Sequence, residues 1–165
     1  MNPDKNSPLT INVIGYGVVG KAQVHLLENL GHHVFVYDPA LKRTDLAIHA
    51  DLTFICTPEQ VADDVIQLLH NRGVNPPYII KSTVSIGTTA RLAHKFDTHI
   101  CHNPEFLRER SPFHDVLHPD RPPLRLRHAG EPAVVQRDVG VDEHDDVAAR
   151  RLRAVVLELV VAATG

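Results

Sequence analysis

No stretch of this chain approaches the roughly 20 consecutive apolar residues of a membrane-spanning helix. The polar segment from Met1 to Pro8 also lacks the apolar core of a signal peptide. A cytoplasmic protein without membrane partners is the expectation. Cysteine is scarce: Cys56 and Cys101 cannot build a disulfide framework, and each closes an apolar run where a reduced, half-buried thiol is ordinary. Neither charge dominates. A formal net charge of -3, with 22% charged and 43% apolar residues, gives no electrostatic case for nucleic acid or an anionic membrane. At 165 residues the chain fits one domain with a real core, or one domain plus a tail, and is too short for two full domains.

Histidine is the exception to this scarcity, with twelve residues, and His94, His99, Cys101 and His102 lie close in sequence. Structural zinc sites show paired ligands at short fixed spacings with a second pair elsewhere, which this chain lacks, so no metal is expected. His32-His33 reads as filler in a turn between a helix and a strand.

What the chain does have is Gly15-Tyr16-Gly17-Val18-Val19-Gly20, set between an apolar strand-like run, Leu9 to Ile14, and a helical one. In that context Gly15 allows a tight turn, Gly17 lets a pyrophosphate approach the backbone, and Gly20 lets helix and strand pack closely. The amides at the helix start, with the positive end of its dipole, would hold the phosphates. A second strand, Val34 to Tyr37, ends in Asp38, at the distance where such folds place an acid on the adenosine ribose. A carboxylate there accepts from the ribose hydroxyls and repels a 2′ phosphate, so NAD is favoured over NADP, although Lys42 and Arg43 lie near. Alone, the glycine hexad also fits an ordinary turn.

The periodicity then alternates. A helix over about Val18 to Leu30 ends at Gly31, a buried strand runs from Asp51 to Cys56, and Thr57-Pro58 precedes a helix whose apolar face is Val61, Val65, Ile66, Leu68 and Leu69. Tyr78 to Ile80 reads as a strand running into Lys81-Ser82-Thr83. Ser85 can cap a helix through about His94, and Thr98 to Cys101 makes a last short strand. Strands and helices in this order predict an α/β fold, a Rossmann-like doubly wound and mostly parallel sheet, with ligands at the carboxyl ends of the strands. That rule alone nominates Thr57, Ser82, Thr83 and the segment from Asn103 onward.

Asn103-Pro104-Glu105-Phe106-Leu107-Arg108-Glu109 has the logic of a helix start: Asn caps, Pro takes the first position, and Glu105 meets the positive end of the dipole. Glu105 and Glu109 share a helical face and could take up a proton directly or through water. A capped helix with solvated acids fits the same residues. Beyond Pro119 the composition changes: there is no Lys, Ile, Phe, Tyr, Ser, Asn or Cys, yet seven of the twelve arginines are there. Either this is a divergent end of the domain or a translation of GC-rich DNA in a shifted frame. Asp145-Asp146 followed by Leu152, Val155, Val156, Leu159, Val160 and Ala163 would form an amphipathic helix. The organisation read from the sequence is a single NAD-binding domain over 8–121 with a divergent tail over 122–165.

The glycine loop, Thr57-Pro58, Lys81-Ser82-Thr83-Val84 with Gly87-Thr88-Thr89, and Asn103 to Glu109 followed by His118-Pro119-Asp120-Arg121 together resemble the N-terminal NAD-binding domain of the UDP-glucose/GDP-mannose dehydrogenases. The resemblance covers roughly residues 9 to 121. It implies oxidation of the C6 alcohol of a nucleotide sugar to a carboxylate, with two NAD and a cysteine that holds the aldehyde as a thiohemiacetal and then a thioester. It further implies that Tyr16, Val18 and Val19 with the three glycines, Asp38, Thr57, Pro58, Ser82 and Thr83 bind the cofactor. Thr83 and Glu109 would act on the hydrolytic water, Glu105 would support substrate and thioester chemistry, and Glu105, Phe106 and Leu107 would meet the sugar nucleotide. Two departures stand out. Asp38 and Asp51 are only 13 apart, so the sheet would lose an internal strand and helix. The family's catalytic Lys, Asn and Cys and its sugar-nucleotide domain are not in this sequence, so a partner chain or a homo-oligomer would have to supply them. A non-catalytic NAD-binding module that pairs with such a partner is the alternative, and a short hydroxyacid dehydrogenase of the 6-phosphogluconate type is a third reading.

Overall fold

A computed structural model of the chain describes residues 7–104. Among the described residues, six strands form one sheet: β1 (Thr10–Ile14), β2 (His33–Asp38), β3 (Arg43–Thr44), β4 (Leu52–Ile55), β5 (Tyr78–Ile80) and β6 (Ile100–His102). Their order is β3-β2-β1-β4-β5-β6, with every pair parallel except β2 and β3. Helix α1 (Val18–Asn29) joins β1 to β2, α2 (Ala62–Asn71) joins β4 to β5, and α3 (Thr88–Phe96) joins β5 to β6. The fold is the expected Rossmann-like α/β sheet.

Alternation along the strands assigns each face its helices. Ile11 and Val13 of β1, Val36 of β2, Phe54 of β4 and Ile79 of β5 pack with Val24 and Leu27 of α1. On the opposite face Ile14, Tyr37, Ile55, Ile80 and Ile100 pack with Ile66 and Leu69 of α2 and with Leu92 and Phe96 of α3. Burying each such aliphatic side chain contributes about 1.5–3 kcal/mol, which explains why such short strands hold.

The shortened stretch after Asp38 departs from a full crossover unit. One 3₁₀ turn (Pro39–Leu41) leads into β3, a two-residue antiparallel edge strand in which Arg43 pairs with Asp38. The chain then crosses to β4 as a loop, pinned by a polar residue in the middle of β1. Asn12 is fully buried; its Nδ2 donates to the Ala47 carbonyl at 2.8 Å and its Oδ1 accepts from the Ala47 N–H at 2.9 Å. Asn12 thus supplies, to one residue of the loop, the donor and acceptor that a strand partner would offer.

Two expected boundaries shift. Helix α3 begins at Thr88 after Gly87, and Ser85 does not cap it. The last strand lies one to two residues later than its apolar run suggests. No helix among the described residues is long and apolar enough to cross a membrane. The acids and apolar residues at Glu105, Phe106, Leu107 and Glu109, and the tail over 122–165, lie outside the described residues.

Candidate functional site

The carboxyl ends of the strands form a level rim because each strand's next residue continues the ladder. Gly15 N–H donates to Tyr37 O at 2.9 Å, Cys56 to Ile14 O at 2.8 Å, Lys81 to Ile55 O at 2.9 Å, and Asn103 to Ile80 O at 2.9 Å. The chain leaves β1 to one side, toward β2, and later elements build to the other side from β4. The reversal falls between β1 and β4, where such sheets open a crevice.

The glycines at that crevice have separable roles. Gly15 sits at φ +88, and a Cβ there would lie 2.9 Å from Thr57 Cγ2. Gly20 is more constrained: a Cβ would lie 1.9 Å from the Gly15 carbonyl oxygen, so helix and turn touch backbone to backbone. Above Gly17 there is open space, with nothing within 4 Å of the point where a methyl would stand. Gly17 is the N-cap of α1; no side chain caps this end, and no acid occupies its first turn. The start of α1 therefore presents unshielded N–H donors, the arrangement that favours a phosphate.

Asp38 closes the loop from the neighbouring strand. Its Oδ2 accepts from the Tyr16 N–H at 2.8 Å. The Arg43 guanidinium lies 4.2 Å from the centre of the Tyr16 ring, with Lys21 at 5.7 Å. A cleft of about 270 Å³ opens beside them, lined by Gly15, Asp38, Pro39 and Thr57 and by Asp64, Val65 and Leu68 of α2. Val65 and Leu68 read in the sequence only as part of a helix's apolar face; nothing in their spacing separates packing from lining. Thr57 Oγ1 is buried and has no hydrogen-bond partner among the described residues, an orphan at the edge of this cleft.

The loops after β4 and β5 and the end of β6 are tied together. The Ser82 hydroxyl donates to the Thr57 carbonyl, and the His102 ring Nε2 lies 3.0 Å from the Ser82 carbonyl. Thr83, the next residue, is exposed. Beneath the rim Lys81 is 5% exposed, and burial lowers its ammonium to about 8, partly offset by Cys56. Burial pushes the Cys56 thiol up to about 12 and the Cys101 thiol up to about 11. Neither cysteine is an activated thiolate. Among the described residues no three His, Cys, Asp or Glu side chains gather as a metal site.

Residues 39–123, just over half of the chain, match the UDP-glucose/GDP-mannose dehydrogenase family, NAD binding domain. The chain belongs to this family. Its glycine loop and Asp38 precede the matched residues, so the fold's geometry places them. A UDP-glucose 6-dehydrogenase from Campylobacter jejuni is 34% identical over 101 residues, which are 61% of this chain and 25% of that protein. The chain thus spans about a quarter of that relative's length.

Solved structures agree on the fold. A UDP-glucose dehydrogenase from the hyperthermophilic archaeon Pyrobaculum islandicum is 22% identical with a TM-score of 0.56, over 73% of this chain and 41% of that one. An imine reductase from Myxococcus stipitatus, solved in complex with NAD+, is 15% identical with a TM-score of 0.51, over 63% and 43%. The family's domain is an NAD-binding one, and the amide donors of α1, the glycine cradle and Asp38 fit that cofactor.

Proposed function

We propose that this chain holds NAD with its pyrophosphate against the amides of Val18, Val19 and Gly20, above Gly17. The adenosine ribose meets Asp38, and the adenine enters the cleft walled by Pro39, Thr57, Val65 and Leu68. The nicotinamide half then falls on the far side of the switch point, over the loops that carry Thr57, Pro58, Ser82 and Thr83. The observation that carries this reading is the open space at Gly17 beside a helix start that no side chain caps. NAD, when bound, supplies a hydride acceptor; the chain's residues orient it and exclude water around it.

The family and the Campylobacter relative support a substrate class for the whole enzyme: a nucleotide sugar whose primary alcohol is oxidised. Thr83, Glu105 and Glu109 are the residues we propose for handling the proton and the hydrolytic water, and Glu105, Phe106 and Leu107 for contact with the sugar nucleotide. The second oxidation of an alcohol to a carboxylate by a covalent route needs a thiolate over the sugar. Both cysteines here are held as thiols by burial. That observation favours a cofactor domain that does not complete the oxidation by itself and takes the nucleophile from a partner chain. Titrating the full chain with NAD by calorimetry, then adding UDP-glucose and following NADH, tests both parts. Saturable binding without steady turnover is expected; no binding overturns the cofactor reading, and steady turnover to the glucuronate overturns the incompleteness.

A further inference from the structure

We infer that Glu59 is a positioning residue for the nicotinamide half of the cofactor, acting through the loop that carries Thr83. The inference rests on the cofactor reading above and adds a residue that neither the glycine loop nor the strand-end motifs single out. Glu59 opens a single 3₁₀ turn (Glu59–Val61), two residues after Thr57. Its Oε1 accepts from the Ser85 N–H at 2.7 Å and from the Thr88 hydroxyl at 2.9 Å, and its Oε2 accepts from the Ser85 hydroxyl at 3.2 Å.

These bonds make a ring of two loops. At one end the Ser82 hydroxyl reaches the Thr57 carbonyl, and at the other Ser85 and Thr88 converge on Glu59. Thr83 lies between two pinned residues, Ser82 and Ser85, and is itself exposed. The His102 ring holds the Ser82 carbonyl from the end of β6. Removing Glu59 frees the Ser85 end of the ring, so the exposed Thr83 loses one of its two anchors while Val84 keeps its packing against the core, and Asp38 and the glycine loop, across the switch point, keep their contacts. The Ser85 N–H beside Glu59, with the Thr88 hydroxyl next, holds its carboxyl below the usual range, so the bonds are made to a carboxylate at neutral pH.

A carboxylate that only braces the start of α3 would affect every ligand alike, through stability. A positioning role affects one half of the cofactor. The test compares NAD+ with ADP-ribose, which keeps the adenosine and pyrophosphate and lacks nicotinamide, by calorimetry on the full chain with Glu59→Ala and Glu59→Gln. For Glu59→Ala we expect NAD+ to weaken by roughly three- to tenfold and ADP-ribose to change by less than about twofold. Glu59→Gln keeps an oxygen for the Ser85 N–H and is expected to show the same split at smaller size; it also carries the test if the alanine variant does not fold. Equal weakening of both ligands, no weakening of either, or a wild-type chain that binds NAD+ no tighter than ADP-ribose overturns the inference alone. A wild-type chain that binds neither ligand overturns the cofactor reading and this inference with it.

Discussion

The Tyr16 N–H donates to Oδ2 of Asp38 at 2.8 Å, so the acid at the end of β2 holds the glycine loop as well as facing the crevice. One carboxylate oxygen is engaged with the loop; the other is where the ribose hydroxyls would donate. Asp38→Ala is therefore expected to weaken NAD binding by about 1–3 kcal/mol, the worth of charge-assisted hydrogen bonds, and to leave the Tyr16 amide without its acceptor. Calorimetry measures this, and unchanged affinity would remove the acid from the site.

Gly17 and Gly20 separate binding from folding. At Gly17, φ is -77 and the space above is open, so Gly17→Ala is expected to leave stability within about 0.5 kcal/mol while blocking the approach of a pyrophosphate. At Gly20 a methyl would collide with the Gly15 carbonyl at 1.9 Å, a backbone atom that cannot turn aside. Gly20→Ala is expected to cost about 1–3 kcal/mol or more from overpacking, beyond the helix preference it gains. Denaturant unfolding and NAD titration of both variants should give opposite patterns.

Asp63 links α2 to α3: Arg91 bonds both its oxygens, at 2.9 and 2.7 Å, and Lys95 bonds Oδ2 at 2.9 Å. These partners, Arg91 first, hold the Asp63 carboxyl well below the usual range. A depressed carboxylate stabilises the fold above its ordinary value and loses that contribution as pH falls through the lowered one. Because the three side chains are partly exposed, Asp63→Asn is expected to cost only about 0.5–1 kcal/mol at neutral pH. The difference from wild type should shrink as pH falls below about 4, followed by urea melts across that range.

Both thiols should be slow to react. A cysteine whose thiol is raised to about 12 or about 11 by burial is protonated at a pH of about 8, so a thiol reagent should modify the native chain far more slowly than the urea-unfolded one. Since unfolding releases these thiols to ionise near a pH of about 8.5, stability should fall as pH rises above that value. Rapid modification of a native cysteine would instead mark an activated nucleophile and reopen the second oxidation.

Much of the fold was legible because its signals are local. Apolar runs mark β1, β2, β4 and β5, and the spacing of Val65, Ile66 and Leu69 marks α2. What was not legible depends on tertiary partners. Strand β3 is Arg43–Thr44, two exposed residues with no apolar alternation, and forms because the chain turns back on Asp38. Ser85 has the chemistry of a cap, yet its N–H and hydroxyl go to Glu59, 26 residues away, and α3 starts after Gly87. Asn12 is a visible oddity in an apolar strand, but its bond to Ala47 spans 35 residues. At the site, the glycine loop, Asp38, Thr57, Ser82 and Thr83 come to one end of the sheet as topology implies. Val65 and Leu68 escape sequence reasoning since a lining residue and a packing residue have the same spacing, and Glu59 escapes it because its partners lie across two loops.

The central claim is that dinucleotide phosphates rest on the start of α1, and amide chemical shifts read it directly. On titration of the labelled full chain with NAD+, the amides of Tyr16 to Gly20 are expected to shift and saturate together with that of Asp38. If saturating NAD+ moved amides elsewhere, or none, while those of Tyr16 to Gly20 stayed in place, the account would be contradicted.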